Sequence, residues 1–328
     1  MKDIFEGKTI LLTGGTGSFG QKFVEVLLRD HNPDFIRVYS RGELKQVEME
    51  RKFSDGRVRF LIGDVRNEKR LSRAMNGVDI VVHAAALKHV PVCEYNPREA
   101  IDTNILGAMN VVDAAIDNGV EKVLALSTDK AVQPINLYGS TKAVAEKLFV
   151  QGNVYSGFRK TQFSCVRYGN VLGSSGSVVP LFFEQRKTGE ITITHEDMTR
   201  FWITLEQGVE FVIKSIQLMK GGEVFVPKIP SMRITDLAEV IAPDAKKKFV
   251  GIRPGEKIHE LLLTSEDAVH SKEFDDYFII EPGYPFRKLE PHTGGKPLPK
   301  NFFYASNSNT QWLNKDELRK ILVGQGFL

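Results

Sequence analysis

Through the first half of the chain, short apolar runs alternate with longer stretches in which apolar residues recur every three or four positions. The runs are KTILLTG, FIRVYS, RVRFLIG, VDIVVHA, EKVLALS and TQFSCVRY, each rich in Val, Ile, Leu or Phe and bounded by turn residues. Runs this short and this continuously apolar predict strands buried on both faces, as in a parallel sheet. The segments between them predict helices. Residues 18–30 are one, and residues 97–119 another, opening on Pro97 and stopping at Gly119 as helix ends favour. Strands alternating with helices predict an α/β fold built on a doubly wound parallel Rossmann sheet.

From about residue 170 the rhythm breaks, through GSSGSVVP, KTGEITITHEDMTRFWIT, KIPSM and RPGEK. We therefore expect a dinucleotide-binding Rossmann domain over residues 1–170 and, over 171–328, mainly a smaller C-terminal substrate-binding lobe with some segments returning to the Rossmann body. Residues 281–310, rich in Pro, Gly and Asn, are expected to be irregular, and NKDELRKIL predicts a short closing helix.

Composition narrows the class. Hydrophobic residues at 42% and charged residues at 26% of 328 suit a folded soluble protein and exclude collagen-like, disordered and disulfide-scaffold chains. Lys and Arg number 44 against 41 Asp and Glu, and this balance forms no basic stripe, so no nucleic-acid partner is expected. No apolar run approaches ~18 residues, so no membrane span is expected. The opening MKDIFEGKTILLTGG lacks the apolar core and cleavage site of a signal peptide. Cys93 and Cys165 lie in unrelated segments and read as core residues, which fits a reducing, cytoplasmic location. His83, His89, His195 and His259 show no metal-ligand spacing, so no metal is expected, and Trp202 beside Phe201 reads as core.

Candidate chemistry begins at TILLTGGTGSFG, which sets Gly14, Gly17 and Gly20 after the first strand and at the start of a helix. Close backbone approach to a pyrophosphate leaves no space for Cβ there, and the helix N-terminus supplies N–H donors. The spacing, G-x-x-G-x-x-G, departs from the usual G-x-G-x-x-G. Thr16, Ser18 and Phe19 complete the expected cofactor turn. The second strand ends in Ser40 and Arg41, with Lys45 one helical turn on, where an acidic residue would hold the ribose of NAD. A guanidinium there suits a 2′-phosphate and favours NADP, although both cations also read as solvated surface charges. Asp64 and Val65 are placed for the adenine, and Ala84, Ala85 and Ala86 are small enough to let the cofactor lie on the backbone. Tyr138 and Lys142, at i and i+4, share a helix face. An ammonium held beside the phenol favours the phenolate that a base at neutral pH requires.

The motifs GGTGSFG, GDVRN, HAAALKHV and LSTDKA, with Tyr138 and Lys142, resemble the extended short-chain dehydrogenase/reductase family. Nucleotide-sugar dehydratases of that family that keep the configuration at carbon 5 carry Asp-Glu after the Ser-Thr of this strand end; Asp129-Lys130 stands here. With KHVPVCEYNP, PINLYGSTK, MTRFWIT, FVPKIPSM and IRPGEK, nearly the whole chain is similar to the inverting branch acting on UDP-N-acetylglucosamine at the start of pseudaminic acid synthesis. The resemblance implies NADP as cofactor, with Thr128, Asp129, Lys130, Tyr138 and Lys142 as the catalytic set. Lys130 would remove the carbon 5 proton and Asp129 would protonate the departing carbon 6 hydroxyl. Lys88, Asn170 and Val178 would face the sugar, and Arg200, Arg253 and Glu256 the diphosphate and uridine ribose. A homo-oligomer is implied, hexamers included, as is a glycan destination in flagellin or another surface polymer. For Lys130 to act as a base, burial and nearby cations must outweigh Asp129, which holds its proton on. The pair must also lie past the strand end, because adjacent strand residues point to opposite faces.

Three other readings stay open. A UDP-N-acetylhexosamine 4-epimerase would need Tyr138 and Lys142 but leave Asp129-Lys130 without a task. A dehydratase that epimerises another carbon often carries Met where Tyr138 stands. A non-catalytic NADP-binding regulator would need the glycines alone.

Overall fold

The computed structural model describes residues 3–157, 161–173, 177–283 and 292–328. Part of GSSGSVVP and of the tail expected to be irregular therefore lies outside the described residues.

The six apolar runs become β1 (Thr9–Thr13), β2 (Phe35–Ser40), β3 (Val58–Ile62), β4 (Ile80–His83), β5 (Lys122–Leu126) and β6 (Gln162–Val166). They pair in parallel in the order β3-β2-β1-β4-β5-β6, the doubly wound arrangement. The helices of this half are α1 (Ser18–Asp30), α2 (Glu43–Lys52), α3 (Glu68–Met75), α4 (Val90–Tyr95), α5 (Pro97–Ile101), α6 (Gly107–Asp117) and α7 (Leu137–Tyr155). Each face of the sheet has its own core. Leu71, Val111, Ala115 and Phe149 cover one face, and Phe23, Leu27, Val212 and Ile216 the other. Burial on both sides is why the strands are apolar at nearly every position.

The helix expected over 97–119 is continuous but not uniform. Between α5 and α6, Asp102–Leu106 is a π turn, and Gly119 closes the segment at φ +67°. Inserted π turns often mark functional positions, and this one carries the buried Asn104.

After β6 the chain leaves the body through β7 (Asn170–Val171), α8 (Val178–Arg186), β8 (Glu190–Ile193) and β9 (Thr199–Ile203). It returns as α9 (Leu205–Leu218) and β10 (Val224–Pro227), and β10 joins β6 in parallel. It leaves again as β11 (Ser231–Arg233), α10 (Ile234–Ile241) and β12 (Lys246–Phe249). Then come β13 (Leu261–Leu263), α11 (Ser265–Ala268), β14 (Ser271–Glu273), β15 (Tyr277–Ile280), β16 (Lys296–Pro297), β17 (Tyr304–Ala305) and α12 (Lys315–Gly324). β15, β14 and β16 extend the large sheet antiparallel to ten strands. The outlying elements build a third core on Phe182, Ile193, Trp202, Leu237 and Leu318. Asn314 and Glu317 cap α12 reciprocally, at the helix expected from NKDELRKIL. No helix among the described residues is long and apolar enough to cross a membrane.

Candidate active site

The carboxyl ends of the parallel strands open into a cleft of about 820 Å³. β1 lies between β2 and β4, where the strand order reverses, so loops diverge there and leave a crevice. Gly14 adopts φ +68°, and a Cβ on it would stand 2.8 Å from backbone atoms of Ala85. The turn can close on the loop after β4 only with glycine. α1 begins at the N-cap Gly17 with no side-chain cap, presenting the positive end of its dipole to the cleft. These features fit a dinucleotide pyrophosphate. Every residue expected to hold the cofactor, from Gly14 through Ala86 to Tyr138 and Lys142, lines this one cleft.

At the end of the cleft next to β2 the cations stand open. Arg41 is half exposed and its Nη1 lies 3.7 Å from Asp64 Oδ2, while Asp64 is tied more closely to Arg66 at 2.8 Å. α2 starts at Gly42, again with no side-chain cap, next to Arg41 and Ser40.

The opposite end is built from a 3₁₀ turn, Asp129–Ala131, just beyond β5. The pair thus lies past the strand end, as its adjacency requires. The Thr128 hydroxyl donates to Asp129 Oδ1 at 2.9 Å and accepts from the Lys130 N–H at 3.3 Å, which fixes the turn. α7 presses on the same turn. A Cβ on Gly139 would lie 2.1 Å from the Lys130 carbonyl oxygen, so glycine is required for this approach. Asn136 caps α7 by accepting from the Gly139 N–H and donates its amide to the Gly255 carbonyl, joining helix and lobe.

Lys130 Nζ lies 3.1 Å from Asp129 Oδ1 and 3.3 Å from Glu260 Oε1. Both carboxylates are almost fully buried, at 1% and 2% exposure. Burial pulls Lys130 toward the neutral amine, but the two carboxylates outweigh it, and its pKa rises. The condition for a base, that burial and nearby cations outweigh Asp129, is not met by these groups. The surroundings of Tyr138 also differ from expectation. Burial pushes the phenol up to about 12, and the groups that pull it back are Lys130 and a hydrogen bond with Thr128. Lys130, from the neighbouring turn, is thus a cation acting on Tyr138 in addition to the one expected from the helix face. Lys142 is buried on the same helix face, and that burial lowers its own pKa.

Lys88 and Asn170 line the cleft, and the Oδ1 of Asn170 is buried without a partner. Burial and Lys130 lower the Lys88 ammonium. Val178, Arg200, Arg253 and Glu256 do not line it. Arg200 is only 6% exposed and donates to the carbonyls of Thr199, Lys257 and Ile258, with Glu256 and Glu260 at 3.7 and 3.8 Å. Its fork is satisfied by protein groups. Arg253 is exposed in the loop before Gly255, and Val178 opens α8.

Sequence reasoning missed three contributors. Glu260 is the second acid of IRPGEKIHE, and its distance from Lys130 along the chain hid it. Asn104, aimed by the π turn, accepts from the Leu87 N–H and donates to the Leu87 carbonyl and the Thr141 hydroxyl, so it anchors the loop carrying Lys88. Glu146 sits one turn beyond Lys142 and pairs with the buried Arg167 at 2.6 Å while accepting from the Ser127 hydroxyl. The spacing Tyr138, Lys142, Glu146 could have exposed it. Of the histidines, His89 lines the large cleft. His83 is buried against Thr13, and among the described residues no three His, Cys, Asp or Glu side chains cluster as a metal site.

The sequence pattern described as Polysaccharide biosynthesis protein matches residues 10–282. A Campylobacter jejuni protein named UDP-N-acetylglucosamine 4,6-dehydratase (inverting) is 51% identical over 328 residues, covering 97% of this chain and 98% of its own. A Rickettsia canadensis protein named UDP-glucose 4-epimerase is 42% identical over 335 residues, covering 99% and 98%. The X-ray structure of Pen from Bacillus thuringiensis superposes with a TM-score of 0.92 at 39% identity, covering 99% of this chain and 100% of that one. Similarity that runs end to end at this level carries body and lobe together, and the chain belongs to the polysaccharide biosynthesis protein family, on the extended short-chain dehydrogenase/reductase fold.

Proposed function

We propose that the chain is an NADP-dependent hydro-lyase that converts UDP-N-acetylglucosamine to UDP-2-acetamido-2,6-dideoxy-β-L-arabino-hex-4-ulose, inverting carbon 5. One observation carries this reading. In a dinucleotide cleft, a lysine ammonium held by a buried aspartate stands beside the tyrosine that would receive a sugar hydroxyl proton.

Tyr138 takes the proton of the carbon 4 hydroxyl. When bound, the nicotinamide cofactor supplies the hydride acceptor for carbon 4 and the hydride donor for carbon 6, so it ends as it began. The carbon 4 ketone makes the carbon 5 hydrogen acidic, because its carbanion is an enolate. Lys130 removes that proton, Asp129 protonates the carbon 6 hydroxyl, water departs, and carbon 5 is reprotonated from the other face. A base must be neutral and an acid must carry a proton. The ion pair has both assignments reversed, and one proton crossing the 3.1 Å from Nζ to Oδ1 sets both right.

Arg41, Ser40, Lys45 and the uncapped start of α2 support NADP, because together they suit a 2′-phosphate. Lys88 and Asn170 contact the sugar, and Arg253 and Glu256 remain the candidates for the uridine diphosphate. The product has the chemistry of the intermediate that opens pseudaminic acid synthesis, and a homo-oligomer belongs to the same reading, checked by light scattering. Proton NMR of the protein with UDP-N-acetylglucosamine in deuterium oxide tests the reaction. A new carbon 6 methyl signal, deuterium at carbon 5 and couplings of the inverted sugar are expected. The Rickettsia relatives favour a second reading, 4-epimerisation. It predicts the 4-epimer with carbon 5 still protonated, and that outcome would remove any task for Asp129 and Lys130.

A further inference from the structure

Lys130 has two carboxylate neighbours, and the dehydratase reading employs one of them. Once Asp129 has accepted a proton it is neutral, and Lys130 is left with Glu260. The backbone of Glu260 is pinned on both sides. Its N–H donates to the Ser306 hydroxyl at 2.9 Å, and its carbonyl accepts from the Ser306 N–H at 2.8 Å. Its Oε1 lies between Lys130 Nζ at 3.3 Å and Arg200 Nε at 3.8 Å, while its Oε2 is buried without a hydrogen-bond partner. An acidic side chain buried to 2% is costly unless it is paired with charge. Here the pairing is with Lys130 and Arg200.

A second cavity of about 370 Å³ abuts this pair, lined by Glu260, Lys257, His259 and Gln133 among others. Asp129 and Lys130 line the large cleft, so the Lys130 to Glu260 contact spans the wall between the two spaces. The wall is braced. Lys257 Nζ donates to the Val132 carbonyl at 2.6 Å, and Gln133 is held at φ +44°, a strained value for a side-chain-bearing residue. Among the described residues, Arg200, Tyr138, Lys88 and Lys257 also interact electrostatically with Lys130, and none of these is an anion at neutral pH.

We propose that Glu260 is the positioning residue of the carbon 5 base: its carboxylate aims Lys130 Nζ and stabilises the ammonium that forms as the carbon 5 proton is removed. The step balances without Glu260 changing state. The carbon 5–hydrogen bond breaks, its electron pair enters the enolate, the proton bonds to Lys130 Nζ, and the Glu260 carboxylate faces the new cation. A buried acid stabilises a catalytic imidazolium in serine hydrolases by the same physics, without itself taking the proton.

The inference rests on the dehydratase reading, so the wild type is measured first. If it forms no carbon 6 methyl product, that reading fails by itself. Given an active wild type, Glu260→Gln is expected to lower kcat on the order of 100-fold. Reduced nicotinamide should accumulate during turnover, because hydride leaves carbon 4 normally and is returned late. The isotope effect with substrate deuterated at carbon 5 should rise, because that step becomes limiting. A residue that merely supports the fold would slow all steps alike and leave the isotope effect where it was. Glu260→Ala, whose lost carboxylate opens onto the second cavity, should regain turnover with added formate. Glu260→Asp keeps the charge and serves if the other two do not fold, with the same isotope readout. An unchanged isotope effect in a folded variant, or an alanine variant deaf to formate, overturns the proposal.

Discussion

The two ends of the large cleft hold their cations in opposite ways. At the β2 end Arg41 is 52% exposed and 3.7 Å from the nearest carboxylate oxygen, which has a closer partner. At the β5 end Lys130 sits against two buried carboxylates at 3.1 and 3.3 Å, and Arg200 is all but sealed. The first arrangement leaves positive charge for a ligand to neutralise. The second neutralises it beforehand, so what remains for a ligand to change is where the protons sit. On the function proposed above, the open cations bind and the closed ones move protons.

The contrast breaks most visibly if a lysine at each end is truncated. Lys130→Met should lower kcat about 1,000-fold or more while cofactor affinity stays within about twofold. Lys45→Met should leave kcat alone and weaken NADP. Methyl-product NMR and fluorescence titration of the cofactor measure the two. If both variants lose cofactor and neither loses chemistry, the division of labour is wrong.

Tyr138 sharpens the point, because it stands where the two ends meet. Protein groups alone push it up to about 12, burial being the main cause. A positively charged ring beside the phenol works in the opposite direction. Oxidised cofactor should therefore lower the pKa of the phenol, seen as a phenolate absorbance difference between wild type and Tyr138→Phe with and without cofactor. A titration that the cofactor does not move would take Tyr138 out of the base role.

How much of this was legible beforehand follows the range of the interactions. β1 to β6 and the glycine turn were readable because each depends on neighbours within a few residues: two-sided burial makes a run apolar, and a tight approach demands glycine. The Tyr138 and Lys142 face was readable for the same reason, being a helical period. Lys130 beside Tyr138 was not, since it needs the 3₁₀ turn after β5 to fold back on α7 through Gly139. Glu260 was further out of reach, because it arrives from a loop that enters only after two excursions of the chain. MTRFWIT flagged Arg200, yet no local pattern tells whether an arginine fork is free for phosphate or filled by the carbonyls of Thr199, Lys257 and Ile258.

His83 tests the closed region by stability instead of rate. Its Nδ1 lies 2.8 Å from the Thr13 hydroxyl, its ring packs on Phe149, and burial, with Lys142 adding to it, lowers its pKa to about 3. An unfolded histidine titrates near 6.5. Between pH 6.5 and 3 the unfolded chain binds a proton that the native protein refuses, so stability falls as pH falls through this window. At pH 5 the cost is about 2 kcal/mol relative to pH 8. Urea unfolding at both values should show His83→Gln losing about that much less than wild type on acidification. Equal losses would mean that His83 is protonated in the native state and the site wetter than its burial indicates.

The smallest effect lies at the open end and concerns selectivity. Arg41→Ala should weaken NADP about tenfold and leave NAD nearly unchanged, because only the 2′-phosphate meets the guanidinium. Since Arg41 is half exposed, its attraction should be screened by salt, and the NADP advantage over NAD should shrink between about 0.05 and 0.5 M ionic strength. Turnover, if it runs through Lys130 with its buried partners, should change far less over the same range once cofactor is saturating. Salt therefore separates the two ends without a mutation: a preference for NADP that survives high salt would place the phosphate on buried groups instead, and the open cations at the end of β2 would lose their assigned task.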